Sequence, residues 1–197
     1  MIKQTLITAL LLMVMMASCK EDPIPKPRAY ARIELPTQVY GTTDIGDWDC
    51  PYSFEYSNQS VLTVDPRYQD STCWYNLYYP RLKATIHLTY TPVRNNLSRQ
   101  IEESRKLAMK HISMASKIDE EMVQHPSKKV YGITYDFQGK TASDYQFFLT
   151  DSTAHFIRGA LYFNINPNKD SLAPVIEYIQ ADVEHLIETF EWTDTKL

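Results

Sequence analysis

From Leu82 to Tyr90 apolar and polar residues alternate without a break. Leu82, Ala84, Ile86, Leu88 and Tyr90 fall on one side, and Lys83, Thr85, His87 and Thr89 on the other. Successive side chains of a strand point to opposite faces, so this segment predicts a strand with one buried and one wet face. Upstream, Tyr52–Tyr56 and Ser60–Val64 flank the turn-like Ser57-Asn58-Gln59, and the aromatic run Trp74–Tyr79 ends at Pro80. The period then changes. Behind Asn95 or Asn96 as a cap, Leu97, Ile101, Ala108, Ile112, Ala115 and Met122 recur at helical spacings with charges between them. That predicts a long helix reaching about Met122. Three strands follow: Val130–Phe137, then Tyr145–Thr150 after the turn Gln138-Gly139-Lys140, then Phe156–Ile165, where Ile157, Leu161, Phe163 and Ile165 share a face. In the last helix Ser171 is the expected cap and Pro174 is placed in the first turn, where no amide bond is lost. Val175, Ile179, Val183, Leu186, Ile187 and Phe190 form its apolar stripe. Both helical stripes read as core packing rather than as partner-binding faces.

Strands joined by short turns cannot be parallel, so the expected class is α+β. It has an antiparallel sheet whose apolar face is covered by a long mid-chain helix and a C-terminal helix. The second half is reminiscent of the Mog1/PsbP-like arrangement, an analogy of fold that carries no activity.

The first residues stand outside this pattern. Lys3 precedes an uncharged apolar run, Leu6–Met16, which is too short to span a bilayer at about 20 residues. It leads into Met16-Ala17-Ser18-Cys19, which looks like a lipobox. Small residues suit the peptidase groove before the cut, and only a thiol takes the thioether-linked lipid. The alternative is an ordinary secretory signal with a chance cysteine. Residues 1–18 are therefore expected to be a leader, and 19–27 a lipidated tether stiffened by Pro23, Pro25 and Pro27. Residues 28–197 are expected to form one domain, a length able to bury a sizeable core. The formal net charge of −4, without a basic cluster, argues against nucleic acid as a partner.

Cys50 and Cys73 remain. In an exported chain an even pair reads first as a disulfide, with two buried thiols as the alternative; a metal site needs more ligands. The five glycines stand far apart, so no phosphate loop is present, and the usual zinc and nucleophile-elbow motifs are missing. His87, His111, His125, His155 and His185 are scattered and read as surface or packed side chains. A site assembled only by the fold, for example from Glu55, His87 or His155 across the sheet, is the remaining route to chemistry, and nothing favours that pairing over chance. No catalytic residue, metal or cofactor is expected, and an enzyme is the weakest class. Aromatic density is more informative. Neighbouring aromatics on a strand face opposite ways, which puts some of Tyr56, Tyr75 and Tyr79 on the outer face as an interaction surface. Cross-strand packing is the equal alternative.

Several segments resemble one known family: Pro25–Tyr30 with Arg32–Pro36, Cys50–Tyr56, Cys73–Pro80, Lys83–Tyr90, Gln146–Ser152 and Gly159–Phe163. The chain is similar along nearly its whole mature length to the gliding-motility lipoprotein GldD family. That resemblance implies an envelope lipoprotein of Bacteroidota, acylated at Cys19 and facing periplasm or cell surface. It also implies a need in gliding and a link to type IX secretion. The partners expected are the membrane, through the lipid, and other gliding or secretion proteins. The rival reading is a lipoprotein module binding a small apolar or lipid ligand between sheet and helix.

Overall fold

Alternation decides which face each strand presents, and the main sheet follows from it. The computed structural model describes residues 34–43, 50–64, 73–110, 112–139, 141–164 and 169–193. These fall within one compact unit, Arg32–Leu197. The leader, Cys19 and the tether lie outside the described residues.

In chain order the elements are β1 (Tyr40–Thr42), β2 (Tyr52–Ser53), β3 (Glu55–Ser57), β4 (Val61–Val64), β5 (Trp74–Tyr79), β6 (Ala84–Pro92) and α1 (Leu97–Met109). Then come β7 (Ala115–His125), β8 (Val130–Gly139), β9 (Ser143–Thr150), β10 (His155–Phe163), α2 (Lys169–Thr189) and β11 (Glu191–Trp192). Among the described residues seven strands pair in the order β4-β5-β6-β10-β9-β8-β7, antiparallel throughout. The protein is α+β, with an antiparallel sheet and two helices.

The first face of the sheet holds the larger core. Leu77, Ile86, Leu88, Phe147, Leu149, Ile157 and Leu161 point from it into the α2 stripe of Val175, Ile179, Val183, Leu186, Ile187 and Phe190. Each such side chain contributes about 1.5–3 kcal/mol on burial. Helix α2 starts at Lys169, ahead of the expected cap Ser171, so Pro174 falls inside the helix rather than in its first turn. Gln180 donates to Asp136 of β8 at 3.0 Å, fixing the helix on this face. Helix α1 lies on the opposite face. Its Ala108 packs with Tyr135, Phe137, Phe148 and Phe156 in a second, smaller core. The helices thus cover both faces of the sheet, not one.

Two local expectations are corrected. The mid-chain helix stops at Met109, and the stretch expected to continue it to Met122 is mostly strand β7. Ile112 and Met122, counted in the helical stripe, are 62% and 76% exposed. Their spacing matched a helix, but no buried face stood behind it. The strand is decided by pairing: a turn at Pro126–Lys128, with Lys129 at φ 52°, folds β8 back so that Ile118 meets Phe137 and Val123 meets Gly132. Asn96 does occupy the N-cap position of α1, but its side chain makes no capping bond. It accepts instead from the Arg94 amide at 2.8 Å and from Gln100 Nε2 at 3.2 Å.

The second correction concerns the run Tyr52–Tyr56, which does not join the main sheet. It splits at Phe54: β2 pairs with β11 and β3 pairs with β1. Tyr52 and Phe54 stack against Phe190 at the end of α2. Cys50 and Cys73 are joined as a disulfide, both nearly buried in the larger core.

The β9–β10 turn rests on one carboxylate. Asp151 accepts the amides of Thr153, Ala154 and His155 at 2.8–2.9 Å and the Thr153 hydroxyl at 2.6 Å. Burial alone raises this carboxyl, but those bonds outweigh it and bring its pKa down to about 2. Asp151→Ala is expected to cost about 2 kcal/mol, within the range for lost caps and charged hydrogen bonds. The folded pKa lies below the usual value, so the contribution is present above about pH 4 and lost as pH falls towards 2. Urea melts of wild type and Asp151→Ala at pH 7 and pH 2.5 check this; the gap between them should shrink in acid.

Candidate functional site

Tyr56, Tyr75 and Tyr79 do not form an outer surface. Leu77 is the core residue of β5, so the odd-numbered side chains Tyr75 and Tyr79 turn inward with it. Tyr79 is 1% exposed and donates to Asp182 Oδ2 at 3.0 Å. Burial first, then the adjacent Asp182, raises its pKa strongly, so the hydroxyl stays protonated and keeps donating. Asp182, raised by desolvation, is also held by Gln38 Nε2 at 2.9 Å and by Tyr40 and Ser57. This buried carboxylate ties the segment before β1 and strand β5 to α2. Tyr56 and Tyr75 are half-buried and pack on the same core.

Glu55, His87 and His155 each have a different partner. Glu55 pairs with His185 at 2.7 Å, and Tyr40 stacks on that imidazole at 3.6 Å. His87 Nδ1 donates to Asn76 Oδ1 at 2.6 Å, and His155 Nδ1 lies 2.8 Å from the Tyr90 hydroxyl. Among the described residues no group of three or more His, Cys, Asp or Glu is placed to hold a metal ion.

The sheet's second face offers a better site. Helix α1 packs over β9 and β10 and leaves a groove of about 680 Å³ between itself and strands β5, β6 and β10. Trp74, Phe156 and Tyr162 give it aromatic walls, Leu107 and Glu103 a rim, and Arg158 a cation. Arg158 sits where alternation puts it: Ile157, Gly159 and Leu161 of β10 face the larger core, so Phe156, Arg158, Ala160 and Tyr162 face the groove. Its Nη2 donates to Gln146 Oε1 on β9 at 2.5 Å. Burial lowers its pKa, opposed by Tyr162, and a guanidinium remains charged after such a shift. None of the ion pairs among the described residues involves it.

The groove wall contributed by α1 is polar. Gln100, Ser104 and Ala108, each four residues apart, are the helix's buried line. Gln100 Nε2 donates to the Pro92 carbonyl and to Asn96, while Gln100 Oε1 is buried without a partner. Gln146 Nε2 and the Tyr135 hydroxyl, on the same face of the sheet, are likewise unpartnered. Buried polar atoms left unpaired cost about 1–3 kcal/mol each, so three on one face are informative. None of these residues was singled out from the sequence. The available clue was Arg158, one charge inside the otherwise apolar run Phe156–Phe163.

Fold and groove define an α+β sheet protein with a ligand-sized cleft on its less covered face. The chain belongs to the gliding motility lipoprotein GldD family, whose model matches residues 20–192. It is thereby a lipoprotein associated with gliding motility, and the family is not one of known enzymes. Among the described residues no helix is long and apolar enough to cross a membrane. No curated protein matches the chain. Among solved structures it is similar to cyanobacterial PsbP (CyanoP) from Synechocystis, at 8% identity and a TM-score of 0.45, covering 82% of this chain and 97% of that one.

Proposed function

We propose that the protein is a noncatalytic envelope component, moored by lipid at Cys19, that serves gliding and the linked type IX secretion machinery. Family membership over residues 20–192 is the observation that carries this reading. The apolar run ending in Met16-Ala17-Ser18-Cys19 supports the mooring. A tethered domain needs only weak contacts with a membrane-embedded partner, because the anchor raises its effective concentration. Chemical crosslinking followed by purification should recover motility or secretion proteins.

The genetic test is a deletion strain complemented with wild type or with Cys19→Ala. Deletion is expected to abolish both colony spreading and secretion of cargo proteins. The Cys19→Ala chain is expected in the soluble fraction and should fail to restore either. Normal spreading and secretion in the deletion strain would overturn the proposal.

A second reading, a lipoprotein that binds a ligand, is favoured by the groove beside α1. Its volume lies within the range of small-molecule sites, about 300–1,000 Å³. The half-buried cation and the unpaired amide atoms favour a ligand that carries a polar group, which the lipid form of the expected ligand has and a purely apolar one lacks.

A further inference from the structure

We propose that one end of the sheet, formed by the β5–β6 turn and the link from α1 to β7, is a second membrane contact that seats the domain on an anionic phospholipid surface. The inference rests on the lipid mooring at Cys19 and supplies the orientation that the mooring leaves open. Residues 20–33 separate Cys19 from the first described residue, and a stretch of that length reaches about 50 Å when fully extended. A domain of this size is about 40 Å across, so such a tether lets any face reach the bilayer. Surface chemistry then decides which face does.

Strand pairing puts both segments at the same end. Tyr79 pairs with Ala84, Ala84 with Phe163, Tyr162 with Ser143 and Ala115 with Gly139. Arg81 and Lys83 are exposed in the β5–β6 turn, and Lys106 and Lys110 are exposed in the last turn of α1 and just beyond it. None of the four takes part in an ion pair among the described residues. No Asp or Glu falls within residues 80–83 or 104–118. Beside these cations, Ile112 and Met114 are 62% and 57% exposed.

Cations at the end of a helix suit its dipole, which accounts for Lys106 and Lys110 alone. Nothing in the fold uses Arg81 and Lys83 in that way, or rewards two large apolar side chains left in water. An anionic bilayer uses all six. The apolar side chains enter the boundary between headgroups and acyl chains, and the lysine stems lie along it with their charges at the phosphates. A chain of net charge −4 is repelled by an anionic surface as a whole, so it approaches with the end whose described turns carry only cations. The opposite end mixes signs: Lys128 and Lys129 line one pocket with Asp151 and Glu191.

The test uses the full mature lipoprotein in vesicles of phosphatidylcholine, alone or mixed with phosphatidylglycerol. A polarity-sensitive fluorophore is placed on Ser113→Cys, or on Ser127→Cys in the exposed turn at the far end of β7. Cys50 and Cys73 are bridged, so the introduced thiol takes the label. Nitroxide-bearing lipid is expected to quench the Ser113 probe in the mixed vesicles and to leave the Ser127 probe bright. Lys106→Gln with Lys110→Gln should weaken that contact by about fivefold for each cation removed, to the level of phosphatidylcholine alone. Ile112→Ser with Met114→Ser should abolish it. Both pairs change exposed side chains and should melt as wild type does. Equal quenching at the two sites, none at either, or quenching at Ser113 that survives both pairs of substitutions overturns the proposal. A Ser113 probe silent on vesicles, with the unlabelled thiol nonetheless shielded from maleimide in native membranes, also overturns it and gives the patch to a protein partner. Flotation of the vesicles separates the two readings. Protein that floats with a silent probe keeps its mooring without this contact, and protein that does not float loses both.

Discussion

Cys50→Ala combined with Cys73→Ala is expected to lower stability by about 3 kcal/mol, measured as the free energy of unfolding in urea. The two cysteines are 23 residues apart in sequence, and closing a loop of that length removes entropy from the unfolded chain worth about 3.4 kcal/mol in the loop model. The native side of the balance points the same way. Tyr52, two residues after the bridged Cys50, donates its hydroxyl to the Cys73 carbonyl at 2.9 Å. Thr193 beyond β11 donates its amide to Pro51 and its hydroxyl to the Cys50 carbonyl. The bridge therefore anchors the short β2–β11 pair, and through it the end of α2, to the beginning of β5. Strands of two residues have no stability of their own. Wild type melted with a reductant should match the double variant melted without one. A double variant within about 0.5 kcal/mol of oxidised wild type would show that packing alone holds these segments.

The contrast between β6 and β7 explains how much of the fold could be read from the chain. Strand β6 has one buried face and one open to the groove, so its side chains alternate and its register was legible residue by residue. The α2 stripe was legible for the same reason, because a helix covering one face must concentrate its apolar residues. Strand β7 is an edge strand, and Lys117, Asp119, Glu120 and Glu121 are what keeps an edge from pairing further. An edge strand buries little on either face and leaves no period to read. The nearby helical spacing then claimed its few apolar residues. The inward turn of Tyr79 is not legible because the aromatic run offers no contrast of polarity; its parity is set by Leu77 and by Asp182, more than a hundred residues away. The groove was least legible. It depends on Gln100, Gln146 and Arg158, polar residues from three elements, and nothing local distinguishes a buried glutamine from a wet one.

Phe147→Ala should be the most damaging single substitution in the sheet, at about 3–5 kcal/mol, and Gly159→Ala should partly repair it. Phe147 is 2% exposed at the centre of the larger core, and the register sets it directly across from Gly159 of β10. A methyl group built on Gly159 falls inside the space of the Phe147 ring. The glycine is there because the ring lies over its backbone, and Leu149, Ile157 and Leu161 around the ring leave it nowhere to move. In the wild-type background Gly159→Ala is therefore an overpacking change costing about 1–3 kcal/mol. With the ring removed the sign reverses. The methyl enters the cavity, and alanine in a strand is favoured over glycine by about 0.5–1 kcal/mol. The double variant should thus be more stable than Phe147→Ala alone, and a double-mutant cycle should give a coupling of about 2 kcal/mol or more. Additive losses would mean that the ring and the glycine do not face each other, and the β9–β10 register on which Arg158 reaches the groove would be wrong with it.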